Sequence, residues 1–150
     1  MRRSNPNSDG YWGALWAGMG ALLCGLMVIL AALGDHWVAS TVNAKSLAIY
    51  HLANRFQFYS GVGLVLLGLA TSQWGRRPSW TISGVLMLIG VLCFSGGLYL
   101  VALLGQSWAI FAPIGGSSLI VAWLLFAFGL WRAALRAGEG STARPRPDGP

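Results

Sequence analysis

The chain has 150 residues, of which 55% are hydrophobic and only 9% charged, with a formal net charge of +6 and a mean hydropathy of +0.61. A soluble domain carries about a quarter charged residues, so this composition excludes a water-soluble fold, and the length leaves room for one compact bundle without a second domain. The basic residues flank apolar runs instead of forming a patch with interleaved aromatics, which argues against a nucleic-acid partner.

Residues 1–11 form a short polar tail. The first apolar run, 12–34, holds no charged residue. At about 1.5 Å rise per residue it is long enough to cross roughly 30 Å of hydrocarbon. A secretory signal peptide is the rival reading, but its apolar core is usually only about 7–15 residues long. The second run, 56–74, is also uncharged, and 47–54 is compatible with an earlier helical start. The third, 80–104, carries Gly84, Gly90, Gly96 and Gly97. The fourth, 114–131, follows Pro113, which suits a first helical turn because no backbone donor is needed there. Residues 132–150 are rich in Gly, Pro and Arg and read as a disordered basic tail. The expected fold is all-α, a four-transmembrane-helix bundle occupying 12–131.

Four crossings put both termini on one side. That side then holds Arg2, Arg3, Arg76, Arg77, Arg132, Arg136, Arg144 and Arg146, against only Lys45 and Arg55 opposite. The asymmetry predicts cytoplasmic termini in a bacterial inner membrane. Trp12, Trp37, Trp74, Trp80, Trp108 and Trp131 fall at predicted span ends, where an amphipathic ring prefers the headgroup level.

Small residues predict the packing faces. Ala14, Gly18, Ala21, Gly25 and Ala32 recur at three- and four-residue steps along the first span, interrupted at Val28. Gly61 and Gly68, Gly90 and Gly97, and Ser118, Ala122 and Gly129 offer comparable faces. In lipid, close approach and dispersion drive helix association. An oligomer would be a competing use of one such stripe.

Few residues carry chemistry. Asp35 and His36 adjoin the end of the first span, but adjacent helical positions do not face each other, so a solvated terminus is the expected role. His51 adds a second histidine without Cys or Glu at metal-ligand spacing, so neither metal nor cofactor is expected. Gln57, Ser60, Ser95, Tyr99 and Gln106 lie in or near spans, where interhelical hydrogen bonding is the default. Ser95 lacks the G-x-S-x-G context of a nucleophile, so no catalytic residue is assigned. Cys24 and Cys93 fall deep in apolar runs and read as small hydrophobes.

Gly34-Asp35-His36, Phe56-Gln57, Phe94-Ser95-Gly96-Gly97-Leu98-Tyr99, Pro113-Ile114-Gly115-Gly116 and Ala122-Trp123 occur in this order along the chain. In this the chain resembles the domain-of-unknown-function 423 family of small YgdD-like inner-membrane proteins, over most of 15–131. The resemblance implies four membrane helices and no transferable activity. It also implies departures here: Asp35 stands where a small residue is usual, Ser60 where a histidine is, and Ala112 where a threonine is.

The expected role is that of a non-enzymatic structural or accessory bundle that binds lipid, a membrane-protein partner or a second copy of itself. Gly18, Gly25, Gly96, Gly97, Pro113, Gly115 and Gly116 are its expected packing positions. The alternative is a small solute transporter or channel, which would normally place a carboxylate, lysine or arginine inside the bundle, and none occurs in the four runs.

Overall fold

The computed structural model describes residues 6–142, which form helices joined by tight turns, with no strand among the described residues. Helix α1 (Pro6–Leu33) passes into a π-helical turn, Gly34–Val38, and a last helical segment, Ala39–Thr41. Helix α2 (Ala44–Trp74) begins where the Asn43 side chain accepts the Ser46 amide at 3.0 Å, a side-chain cap on an otherwise orphaned donor. It ends at Gly75, whose φ of +78° is open to glycine and strained for other residues. Pro78 opens α3 (Pro78–Val91), which runs through a second π-helical turn, Leu92–Gly96, into α4 (Gly97–Leu104). After Gly105 and a short 3-10 turn, Gln106–Trp108, helix α5 (Phe111–Thr142) completes the chain.

Several boundaries differ from the sequence reading. Helix α2 starts twelve residues before the predicted second span, because Leu47, Ala48, Ile49 and Ala53 continue its helical pattern through the polar residues between them. The tails are shorter than expected. Helix α1 already runs from Pro6, inside the tail expected at 1–11, and α5 runs to Thr142, inside the tail expected from 132, because Ala133, Ala134, Leu135 and Ala137 are strong helix formers. Residues 1–5 and 143–150 of those tails lie outside the described residues.

Among the described residues, three helical stretches are long and apolar enough to cross a membrane: Ser8–Thr41, Pro78–Leu104 and Phe111–Gly138. Helix α2 is long enough but less apolar, since Gln57, Ser60, Thr71, Ser72 and Gln73 interrupt its hydrophobic residues. Its position explains that composition. It packs against α1, α3, α4 and α5, so much of its surface meets protein, not lipid. Tyr50, Ala53, Asn54, Gln57, Ser60, Leu64, Leu67 and Thr71 are all buried.

Two antiparallel helix pairs make up the bundle. In the first, Gly13 and Gly20 of α1 oppose Gly68 and Gly61 of α2, and a Cβ on Gly68 would lie 2.5 Å from both the Gly13 carbonyl oxygen and the Ala17 nitrogen. Only glycine permits this backbone-to-backbone contact. The face of α1 used here is one residue off the stripe expected from sequence. Gly18 and Gly25 face open space within this chain, and Ala14, Ala21 and Ala32 are exposed.

In the second pair, α3 and α5 are joined by two side-chain bonds to helix backbone. The Ser83 hydroxyl donates to the Ala122 carbonyl at 2.7 Å, and the Ser118 hydroxyl donates to the Leu86 carbonyl at 2.9 Å. Large side chains lock the pairs together, with Trp16 seated on Gly84 and Trp123 on Gly63, around a core of Leu64, Leu67, Met87 and Phe126.

Trp80 is a further correction. Instead of lying in a headgroup belt it is 1% exposed, packed against Gly129 and edge-on to Phe126, with its indole N–H buried and without a partner among the described residues. Trp37, Trp74 and Trp131 are exposed, in keeping with an interfacial ring.

Candidate functional site

Three buried side chains with polar atoms line one seam between α1 and α2. Tyr50, Asn54 and Gln57 recur at helical spacing and so share one face of α2. Each donates to a backbone carbonyl of α1: Tyr50 Oη to Leu30 at 2.8 Å, Asn54 Nδ2 to Met27 at 3.4 Å, and Gln57 Nε2 to Leu23 at 3.0 Å. As α1 rises from 23 to 30, its partners on α2 descend from 57 to 50, so this ladder continues the antiparallel register of the glycine contacts.

Gln57 is the junction of the seam. Its amide donates to α1 while its carbonyl oxygen accepts the Tyr99 hydroxyl of α4 at 3.0 Å, so one 5%-exposed side chain ties three helices together. The Tyr99 ring meets the Tyr50 ring edge-on, 4.9 Å between centroids. Tyr50 Oη, Tyr99 Oη and both polar atoms of the Gln57 amide have protein partners, as a low-dielectric interior demands.

The first π turn lies at the end of this seam. Gly34 leaves room for Tyr50, since a Cβ there would stand 2.7 Å from the Tyr50 ring, and Val38 packs in the same cluster with Ala102. Asp35 and His36 project from the turn and are exposed. The structure brings Asp35 to His51, 3.7 Å from carboxylate oxygen to Nε2, and not to its neighbour His36. This is a loose, solvated pair, and no group of three metal-ligating side chains occurs among the described residues.

The second π turn explains the two glycine-containing stretches. An inserted residue widens the helix at Leu92–Gly96, and α5 crosses there with Gly115 set so closely against the Cys93–Phe94 backbone that a Cβ would collide with the Phe94 nitrogen. Gly116 lies under the Phe94 ring and Gly97 against Phe111. Gly96 faces open space, contrary to its expected packing role, because the widened turn rotates it outward. Pro113 is exposed in the first turn of α5, where its carbonyl accepts the Ser117 hydroxyl. Ser95 is 1% exposed inside the π turn, with its hydroxyl buried and unpartnered.

An apolar groove of about 780 Å³ lies beside this crossing, between α2 and α5. Phe56, Tyr59, Phe94, Ile120 and Trp123 line it, and Ser60 is one of its few polar residues. The Ser60 hydroxyl is occupied by its own helix, donating to the Phe56 carbonyl at 2.8 Å. Of the polar residues expected to matter, Gln57 and Tyr99 are joined, Ser95 stands four residues from Tyr99, and Gln106 lies in the distant 3-10 turn. Tyr50 and Asn54 escaped the sequence reading because they precede the predicted span. Their spacing of four and three residues to Gln57 is the signal that marks them.

A model of the family described as "Protein of unknown function (DUF423)" matches residues 30–116, a segment that contains Tyr50, Asn54, Gln57 and Tyr99 together with both π turns. A UPF0382 membrane protein of Staphylococcus saprophyticus is 32% identical over 115 residues, covering 76% of this chain and 94% of that protein. The UPF0382 inner membrane protein YgdD of Escherichia coli is 32% identical over 109 residues, covering 71% and 82%, and the UPF0382 membrane protein YwdK of Bacillus subtilis is 29% identical over 112 residues, covering 71% and 88%. No solved structure matches. The chain therefore belongs to the DUF423 family and is a multi-pass membrane protein in contact with the lipid bilayer.

Proposed function

We propose that the chain crosses the inner membrane four times, with both termini and the Arg76–Arg77 turn in the cytoplasm, and acts as a non-enzymatic structural or accessory bundle. The fourth crossing is α2. Its 31 residues reach about 46 Å at helical rise, and it runs antiparallel beside α1, so it returns the chain to the side from which α1 departs. The arginine asymmetry supports the orientation, because positive charge resists translocation.

The observation that carries the accessory role is the fate of the interior polar groups. Gln57, Tyr99, Tyr50 and Asn54 are engaged in bonds between helices, and the groove between α2 and α5 is lined almost wholly by apolar side chains. A bundle of this kind acts through its outer surface on lipid, on a membrane-protein partner or on a second copy. Solute passage, the competing reading, needs a polar path lined by those same groups.

Proteoliposomes holding the purified full chain test the role. Proton and cation flux is expected to match protein-free vesicles. A flux that disappears with Gln57→Leu or Tyr99→Phe overturns the accessory reading in favour of a conduit. Reporter fusions at each terminus and after Lys45 test the orientation, with cytoplasmic signals expected at the termini only.

A further inference from the structure

The described ion pair, Asp35 with His51, lies at the opposite end of α2 from a cluster of three arginines. Arg77, Pro78 and Ser79 at the start of α3, with Phe128, Gly129, Arg132 and Arg136 of α5, enclose a recess of about 270 Å³. Two of the guanidinium groups are braced against rings: Arg77 lies 5.0 Å from the Trp80 centroid and Arg132 lies 5.6 Å from that of Phe128. Arg132 and Arg136 are one helical turn apart and face the same recess. Neither the Asp9 nor the Asp35 carboxylate pairs with any of the three. Arg77 loses some of its affinity for its proton, first through partial burial and then through repulsion from Arg136 and Arg132. Three like charges therefore crowd one concavity, with no salt bridge to them from Asp9 or Asp35.

The depth of the recess selects the anion. Trp74 of α2 and Trp131 of α5, exposed rings of the kind that settle at the headgroup level, stand three residues before Arg77 and one before Arg132. Phe128, half of whose surface is exposed, lies one helical turn before Arg132 and continues the recess toward the apolar part of α5. A charged group held here has hydrocarbon directly beside it, which suits an amphiphile better than a free ion. Planar, braced guanidinium groups match phosphate oxygens, and Ser79 adds a hydroxyl at the rim. Basic recesses between membrane helices at this depth hold anionic headgroups.

We propose that Arg77, Arg132 and Arg136 form a binding site for the phosphodiester headgroup of an anionic phospholipid, with an acyl chain lying against Phe128. The site depends on the bilayer placement of the chain and not on the accessory role. Two of its three arginines fall beyond residues 30–116, the segment matched by the family model.

Native mass spectrometry of the full chain in mild detergent, titrated with phosphatidylglycerol or phosphatidylcholine, tests this. Phosphatidylglycerol is expected to be retained more tightly. The variant R77Q/R132Q/R136Q is expected to lose that preference by on the order of 100-fold, from about fivefold for each basic residue near a lipid surface. The charge-matched variant R3Q/R144Q/R146Q is expected to keep it. Equal retention of the two lipids, or equal loss in both variants, overturns the site. Displacement by glycerol phosphate at concentrations comparable to the lipid assigns the recess to a soluble phosphate and overturns the lipid assignment. Far-UV circular dichroism checks the fold, and Arg136→Gln alone, at an exposed position, gives a partial loss even if the triple variant misfolds.

Discussion

Replacing Gly68 with alanine adds one methyl group where two helix backbones touch. Its carbon would sit 2.5 Å from the Gly13 carbonyl oxygen and 2.5 Å from the Ala17 nitrogen, and 2.9 Å from the Ala17 methyl. The first two are backbone atoms that cannot rotate away, so α1 and α2 must separate by about 1 Å to reach van der Waals distance. Overpacking of this kind costs about 1–3 kcal/mol. Separation also lengthens the bonds of Tyr50, Asn54 and Gln57 to α1, each worth about 0.6 kcal/mol in a membrane protein. The higher helix propensity of alanine returns roughly 0.5–1 kcal/mol, leaving a net destabilisation of about 2–4 kcal/mol. Gly18→Ala is the matched control. Nothing lies within 4 Å of the added carbon, so only the propensity gain remains and stability is unchanged or slightly raised. Unfolding by sodium dodecyl sulfate titration, followed by circular dichroism, measures both. An equal loss in the two variants, or none at Gly68, refutes the seam as described.

Gln57→Leu leaves the Tyr99 hydroxyl without its acceptor and is expected to cost about 1–2 kcal/mol in the same assay. Adding Tyr99→Phe removes the stranded hydroxyl, so the double variant should be no less stable than Gln57→Leu alone, and a fully additive loss would show that the two side chains do not interact. Asp35→Asn should leave the unfolding midpoint unchanged, because the pair with His51 is long and solvated and surface pairs of this kind contribute little. A clear drop in the midpoint would give the pair a structural role that its geometry does not suggest.

The apolar runs, the glycine-containing stretches and the arginine borders were legible in the sequence because each reports a local property: whether a segment tolerates hydrocarbon, permits close approach or resists translocation. Which face of a helix turns inward is a different kind of property. In water a helix separates a polar side from an apolar one, and the stripe can be read directly. In lipid the surroundings are as apolar as the interior, so the stripe through Ala14, Gly18, Ala21 and Gly25 and the stripe through Gly13, Ala17, Gly20 and Cys24 carry the same signature. Only the partner separates them: Gly61 and Gly68 lie against the second stripe. Helix α2 shows the converse. Its residues Tyr50, Asn54 and Gln57, whose polar groups lower its hydropathy, are ones that face other helices.

The amino-acid order therefore determined by itself that the bilayer is this protein's solvent, that its secondary structure is helical, and that basic residues mark the span borders. Tertiary structure alone decided that Tyr50, Asn54 and Gln57 reach successive carbonyls of α1, that Trp80 is buried, that Asp35 meets His51, and that arginines 55–59 residues apart share one recess. These outcomes depend on the register of antiparallel helices, a relation between distant segments that no local hydropathy pattern encodes.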